Sequence, residues 1–90
     1  MKVKKDGYYV IGGQYSYICY GWCRTLLGAK RLARKNQEYW DNWAGWHTPS
    51  IYEACDCWDV DEFHRGDFVP YHGAYPVAEY RNGAWREGGM

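Results

Sequence analysis

Residues 7–23, GYYVIGGQYSYICYGWC, carry no charge and crowd aromatic and β-branched side chains around Gly12 and Gly13. Such a run about a glycine pair reads as a β-hairpin. A two-residue turn at Gly12-Gly13 pairs Ile11 with Gln14, Tyr9 with Ser16 and Tyr8 with Tyr17. Because side chains alternate along a strand, this register sets Tyr8, Val10, Tyr15, Tyr17 and Cys19 on one face and Tyr9, Ile11, Ser16, Ile18 and Tyr20 on the other. After Thr25 the period lengthens. Leu26, Ala29, Ala33, Trp40 and Trp43 recur at helical spacing, and with Thr25 as N-cap they predict one helix over residues 26 to about 42. Gly45 ends that stripe, so Trp40 and Trp43 are expected in the core, and Trp46, beyond the end, is the ring left to bind a ligand.

Beyond the helix the signals shorten. IYEACDC, residues 51–57, follows Pro49 and reads as a strand, with a helix that has proline in its first turn as the alternative. DVDEFHRG, residues 59–66, has the form of one helical turn, with Asp59 as cap, Glu62 three residues on and Gly66 at the end. The stretch with Gly66, Pro70, Gly73 and Pro76 reads as loop. PVAEYRNGAWRE, residues 76–87, is a hairpin about Asn82-Gly83 that pairs Tyr80 with Trp85 and Glu79 with Arg86. The order β-β-α-β followed by a C-terminal hairpin predicts an α+β fold: one mostly antiparallel sheet packed on one main helix, in a single domain over residues 1–90.

Composition bears on what fills the core. Three Ile, three Leu, five Val and two Phe fall below the ~20% of such residues at which disorder is expected. The formal net charge of zero argues the other way, since chains that fail to fold through low hydrophobicity usually carry large net charge. Ten Tyr and six Trp supply the missing apolar surface, so most rings are assigned to the core. A functional role is reserved for rings beside fixed charge. Charge itself is segregated. Residues 1–35 hold eight Lys or Arg against Asp6, residues 36–67 hold eight acids against Arg65, and the tail balances. Opposite-sign faces would steer an anionic ligand or favour head-to-tail association, whereas interleaving in the fold would cancel them; both stay open. No apolar run reaches the length of a membrane span, and the basic N-terminus leads into Tyr and Gly, so a cytoplasmic protein with reduced thiols and no membrane partner is expected.

Candidate chemistry centres on a basic stripe. Lys30, Arg31, Arg34 and Lys35 share one helix, like charges at that spacing cost a few tenths of a kcal/mol per pair, and only Glu38 answers them from the same helix. An external anion is the natural complement, with a solvated helix face as the plainer alternative. A pI near 6.8 disfavours a nucleic acid polymer. A small phosphorylated ligand needs only two or three cations and a ring to stack on. The candidate ligand-binding set is Trp22, Arg24, Lys30, Arg31, Arg34, Trp46 and His47. Cys19-x3-Cys23 and Cys55-x-Cys57, with His47, His64 and His72, offer zinc's ligand types. On strands both cysteine pairs project to one side, but neither has the knuckle spacing of a structural zinc site. Buried, reduced thiols are expected, with no metal and no cofactor; a small zinc-binding module is the alternative. For catalysis the sequence lacks a phosphate loop, a G-x-S-x-G elbow and an H-E-x-x-H helix. Cys23 at the helix N-terminus, its pKa lowered there, with His47 or His72 as base, is the one nucleophile and base pairing on offer, and the chain is read as a non-enzyme.

The aromatic strand leading into TLLGAKRLARKN, together with the terminal PVAEYRNGAWRE hairpin, resembles the small single-domain accessory proteins encoded by bacteriophages and prophages. That resemblance implies a non-enzymatic protein that blocks or sequesters something of the host, including its defence machinery, and assigns no site residue. The leading expectation is a homo-oligomer that sequesters a small anionic aromatic ligand of nucleotide type at a subunit interface. The second is an inhibitor or adaptor that engages a host protein through charged faces, Asp59, Asp61 and Glu62 among them, and exposed rings.

Overall fold

The computed structural model describes residues 6–12, 18–41, 47–59, 68–81 and 83–87. Its elements are β1 (Tyr8–Gly12), β2 (Ile18–Cys23), α1 (Leu26–Lys35), α2 (Gln37–Trp40), β3 (Pro49–Glu53), a 3-10 turn (Ala54–Asp56), β4 (Cys57–Asp59), β5 (Phe68–Pro70), β6 (Ala78–Arg81) and β7 (Ala84–Glu87). Five strands form an antiparallel sheet in the order β2-β1-β3-β6-β7, and β4 and β5 form a separate antiparallel pair. The fold is α+β, with a mostly antiparallel sheet and one main helix. Among the described residues no helix is long and apolar enough to cross a membrane.

Alternation along the central strands divides the core in two. Val10, Ile51 and Ala78 point to one face of the sheet and meet Ala29 and Ala33 of α1, all of them essentially inaccessible to solvent. Two alanines at i and i+4 leave no bulk on that side of the helix, so its backbone lies close over the sheet. Tyr9 and Ile11 point to the other face and pack with Ala54, Cys57 and Phe68. There the Tyr9 and Phe68 rings stack at 4.2 Å between centroids. The β4 and β5 pair therefore forms a third layer, opposite the helix. Residues 68–70, expected as loop, are a strand. Pro70 is compatible with that because it ends the strand, paired with Cys57.

The first hairpin is antiparallel, but its register differs from the one expected. Gly12 pairs with Ile18 rather than turning the chain, and Tyr9 faces Trp22. The positions proposed to pair with them, Gln14, Ser16 and Tyr17, lie outside the described residues. The register shifts between Val10 and Ile11, where Gly21 and Cys19 are the successive partners and Tyr20 is the extra residue. Pairing Gly12 with Ile18 and Ile11 with Cys19 exchanges the faces assigned to Cys19 and Tyr20, and the β-bulge beyond them puts Cys23 on the face opposite Cys19. Cys19 packs with the Tyr9 cluster and Tyr20 with the Val10 cluster. Gly12 is held in the strand by pairing with Ile18 and Pro49, and the site has no room for a side chain: a Cβ there would sit 2.4 Å from the His47 carbonyl oxygen. That oxygen accepts the Tyr20 hydroxyl at 2.6 Å.

Helix α1 starts as its cap dictates, with the Thr25 hydroxyl oxygen accepting the Gly28 N–H at 3.0 Å. It does not run on to residue 42. At Asn36 the side-chain amide donates to the Leu32 carbonyl, and the Ala33 carbonyl takes both the Asn36 N–H and the Trp40 indole N–H, the latter at 2.7 Å. A local polar side chain and an indole thus occupy acceptors near the end of α1, and the chain restarts as the four-residue α2. Trp40 is buried as expected, whereas Trp43 lies outside the described residues. The segment 51–57 is a strand only as far as Glu53, followed by the 3-10 turn and β4. Asp59 ends β4, and the helical turn proposed to follow it lies outside the described residues. The C-terminal hairpin has the expected register, with Tyr80 opposite Trp85 and Glu79 opposite Arg86.

Candidate functional site

The outer side of α1 and the end strand β7 enclose an open groove of about 390 Å³ lined by Leu27, Lys30, Arg31, Arg34 and Trp85. The helix contributes four of these at positions i, i+3, i+4 and i+7, the spacing that aligns side chains along one stripe. The hairpin contributes the fifth. Its register sets Trp85 beside Tyr80 on the helical face, where the two rings meet edge to face at 5.4 Å, and Tyr80 in turn meets the buried Trp40 at 4.9 Å. The groove's one aromatic wall is thereby braced from the core outward.

Electrostatics divide the three cations. Lys30 is ion-paired with Glu87, and its ammonium lies over the Trp85 ring, 6.0 Å from the centroid. The acid that answers Lys30 comes from β7, not from its own helix, which corrects the reading of that side chain as uncompensated. Arg31 and Arg34 are exposed. Among the described residues neither is ion-paired, and Glu38 does not bridge to Arg34. Leu27 at the lip is 59% exposed, a large apolar side chain beside the two guanidinium groups. Such a surface pairs fixed positive charge with flat and apolar contacts, the combination that recognises an anion attached to a ring.

Of the residues proposed from sequence, Lys30, Arg31 and Arg34 converge on the groove, and Trp22, Arg24 and His47 do not line it. Trp22 packs with the Tyr9 cluster on the face of the sheet opposite α1, its indole donating to the Asp6 carbonyl at 2.7 Å. Arg24 is exposed just before the Thr25 cap. The His47 ring stacks on Tyr39 at 5.3 Å, and its buried Nδ1 has no hydrogen-bond partner among the described residues. Trp46 lies outside the described residues. Trp85 and Leu27 are lining residues that the sequence reading missed. For Trp85 a signal existed: its pairing with Tyr80 was readable, but the side of the helix on which the hairpin lies was not.

The cysteines follow the bulge. Cys19 packs with the cluster that holds the buried Cys57, and Cys23 packs with the cluster on the other face. The expected projection of Cys19 and Cys23 to one side is thus corrected. The four cysteines form no disulfide, and Cys55 is exposed where a buried thiol was expected. Among the described residues no group of three or more His, Cys, Asp or Glu is placed to hold a metal ion. Burial pushes the Cys23 thiol up despite the opposing pull of Lys35, which reverses the expectation of an activated thiolate at the helix N-terminus. Burial also pushes Cys57 up to about 12, and Cys19, Asp56 and Cys55 nearby add to the effect. Comparison with family models, with curated proteins and with solved structures finds no match to this chain.

Proposed function

We propose that this chain is a non-enzymatic binding protein that sequesters a small anionic ligand with a flat ring, of nucleotide type. One observation carries the reading: two guanidinium groups without acid partners among the described residues stand beside a braced, half-buried indole in one groove. Arg31 and Arg34 clamp the anion through charge-assisted hydrogen bonds, and Trp85, rather than Trp22 or Trp46, is the ring on which the ligand stacks. The groove is open, and a second subunit over it would supply the enclosure a ligand of this size needs, in keeping with a homo-oligomer. The resemblance to phage accessory proteins makes removal of a host signalling nucleotide the biological setting of the proposal.

Calorimetry with a panel of mononucleotides, dinucleotides and inorganic phosphate tests it. Changing Arg31 and Arg34 together to Glu should abolish binding and leave the melting temperature near that of the wild type, because exposed helix positions tolerate polar exchange. Trp85→Ala should weaken the same binding by ~1 to 3 kcal/mol. A panel that gives no heat with the wild type defeats the reading.

A second reading has its own support. Trp58 and the exposed Tyr71 stack at 6.4 Å on the β4 and β5 layer, away from the groove, and Tyr75 is 75% exposed. Exposed stacked rings near the acidic segment suit an inhibitor or adaptor that docks on a host protein. Capture of one defined partner from lysate, lost in Trp58→Ala or on neutralising Asp59, Asp61 and Glu62 but kept in the Arg31 and Arg34 variant, would favour it.

A further inference from the structure

Lys30 occupies the place a stacking ligand needs. Its ammonium is 6.0 Å from the Trp85 ring centroid, and a flat ring laid on the indole at the ordinary carbon contact of ~3.5 to 4.0 Å would come within roughly 2.5 Å of that nitrogen. Tyr80 also meets the Trp85 ring, the two lying edge to face. A ligand takes the indole face beneath the ammonium only as the ammonium moves off it. Lys30 is restrained there by Glu87, whose side chain is 53% exposed while that of Lys30 is 22% exposed. Moving Lys30 forfeits both the ring contact and the ion pair.

Resting on the ligand reading above, we propose that Lys30 is a placeholder on Trp85, and that the groove selects ligands carrying a ring and a phosphate monoester together. The ring takes the indole face that the ammonium leaves, and the phosphate replaces the Glu87 carboxylate as the ammonium's counter-charge, alongside Arg31 and Arg34. A ring alone displaces Lys30 without compensating it. Inorganic phosphate alone meets the arginines and gains nothing from Trp85. Lys30 and Glu87 are thus specificity-determining residues: their pairing penalises uncharged rings, and the ligand's own anion removes the penalty.

Calorimetric titration of the full chain with adenosine, adenosine 5′-monophosphate and inorganic phosphate tests this in three proteins. The wild type should bind the monophosphate more tightly than adenosine. Lys30→Met keeps the aliphatic stem and removes the charge; it should bind adenosine roughly two- to fivefold more tightly than the wild type, the size of an exposed cation–π contact, and narrow the monophosphate's advantage. Glu87→Gln, at an exposed position, frees the ammonium and should strengthen binding of both the monophosphate and phosphate. If Lys30→Met leaves adenosine affinity unchanged or lower, or if Glu87→Gln alters neither anion, the placeholder role is wrong while the ligand reading stands. If no probe binds the wild type, the ligand reading fails and this inference fails with it.

Discussion

The Cys57 thiol donates to the Glu53 carbonyl at 3.6 Å, inside the cluster opposite the helix. The Tyr20 hydroxyl donates to the His47 carbonyl across the other face. Both groups are neutral when protonated, and burial is the main reason that folding favours this form. Cys57 rises from 9.0 to about 12 and Tyr20 from 10.0 to about 12, with Tyr39 adding to the burial effect. A pKa raised by folding contributes stability that is complete below the unfolded value and is lost as pH climbs through the folded one. The melting temperature should therefore begin to fall near pH 9 and continue falling toward pH 12. In Cys57→Ala, compared with the wild type by calorimetry at matched ionic strength, the fall between pH 9 and pH 12 should be shallower, with Cys23, also pushed up by burial, and Tyr20 accounting for what remains. A fall as steep in the variant as in the wild type would remove Cys57 from the account. Neither pKa followed from composition, because Tyr20 owes its place to a pairing register that the alternation of apolar positions does not encode.

Elements built from local rules were the most legible. The Asn82-Gly83 hairpin and the Thr25 cap depend on residues within a few positions of each other, and the observed pairings and the cap bond follow them. Gly83 has φ of +82°, and a Cβ there would meet nothing within 4 Å, so a side chain at this site costs backbone strain alone. Gly83→Val should lower stability by more than ~1 kcal/mol in urea unfolding; an unchanged midpoint would show that the turn tolerates a β-branched residue. Elements decided at longer range were not legible. The helix stripe from Leu26 to Trp43 offered no stop before Gly45, yet the Trp40 indole reaches back to the Ala33 carbonyl and the Asn36 amide to the Leu32 carbonyl. Strand β5 was hidden by Pro70, whose missing N–H argues against a strand interior but not against a strand end.

At the scale of the molecule, the candidate site was half legible. The cations of α1 were visible as a stripe, but Trp85 and Glu87 arrive from more than fifty residues away, and only the strand order brings β7 beside α1. That order also sets how firmly the two walls are joined. β1 meets β2 and β3 through five residue pairs each, whereas β6 meets β3 through two, Ser50 with Glu79 and Ile51 with Ala78. The Val77 N–H adds one bond to the Ile51 carbonyl at 2.7 Å. Native-state hydrogen exchange should find the amides of β6 and β7 opening together at lower free energy than those of β1 and β3; equal protection across all five strands would contradict this. If the narrow seam opens first, the helix wall and the indole wall of the groove belong to different cooperative units. A molecule that grips Arg31 and Arg34 with one end and Trp85 with the other acts as a rivet across that seam, and part of its binding energy becomes mechanical cohesion of the sheet.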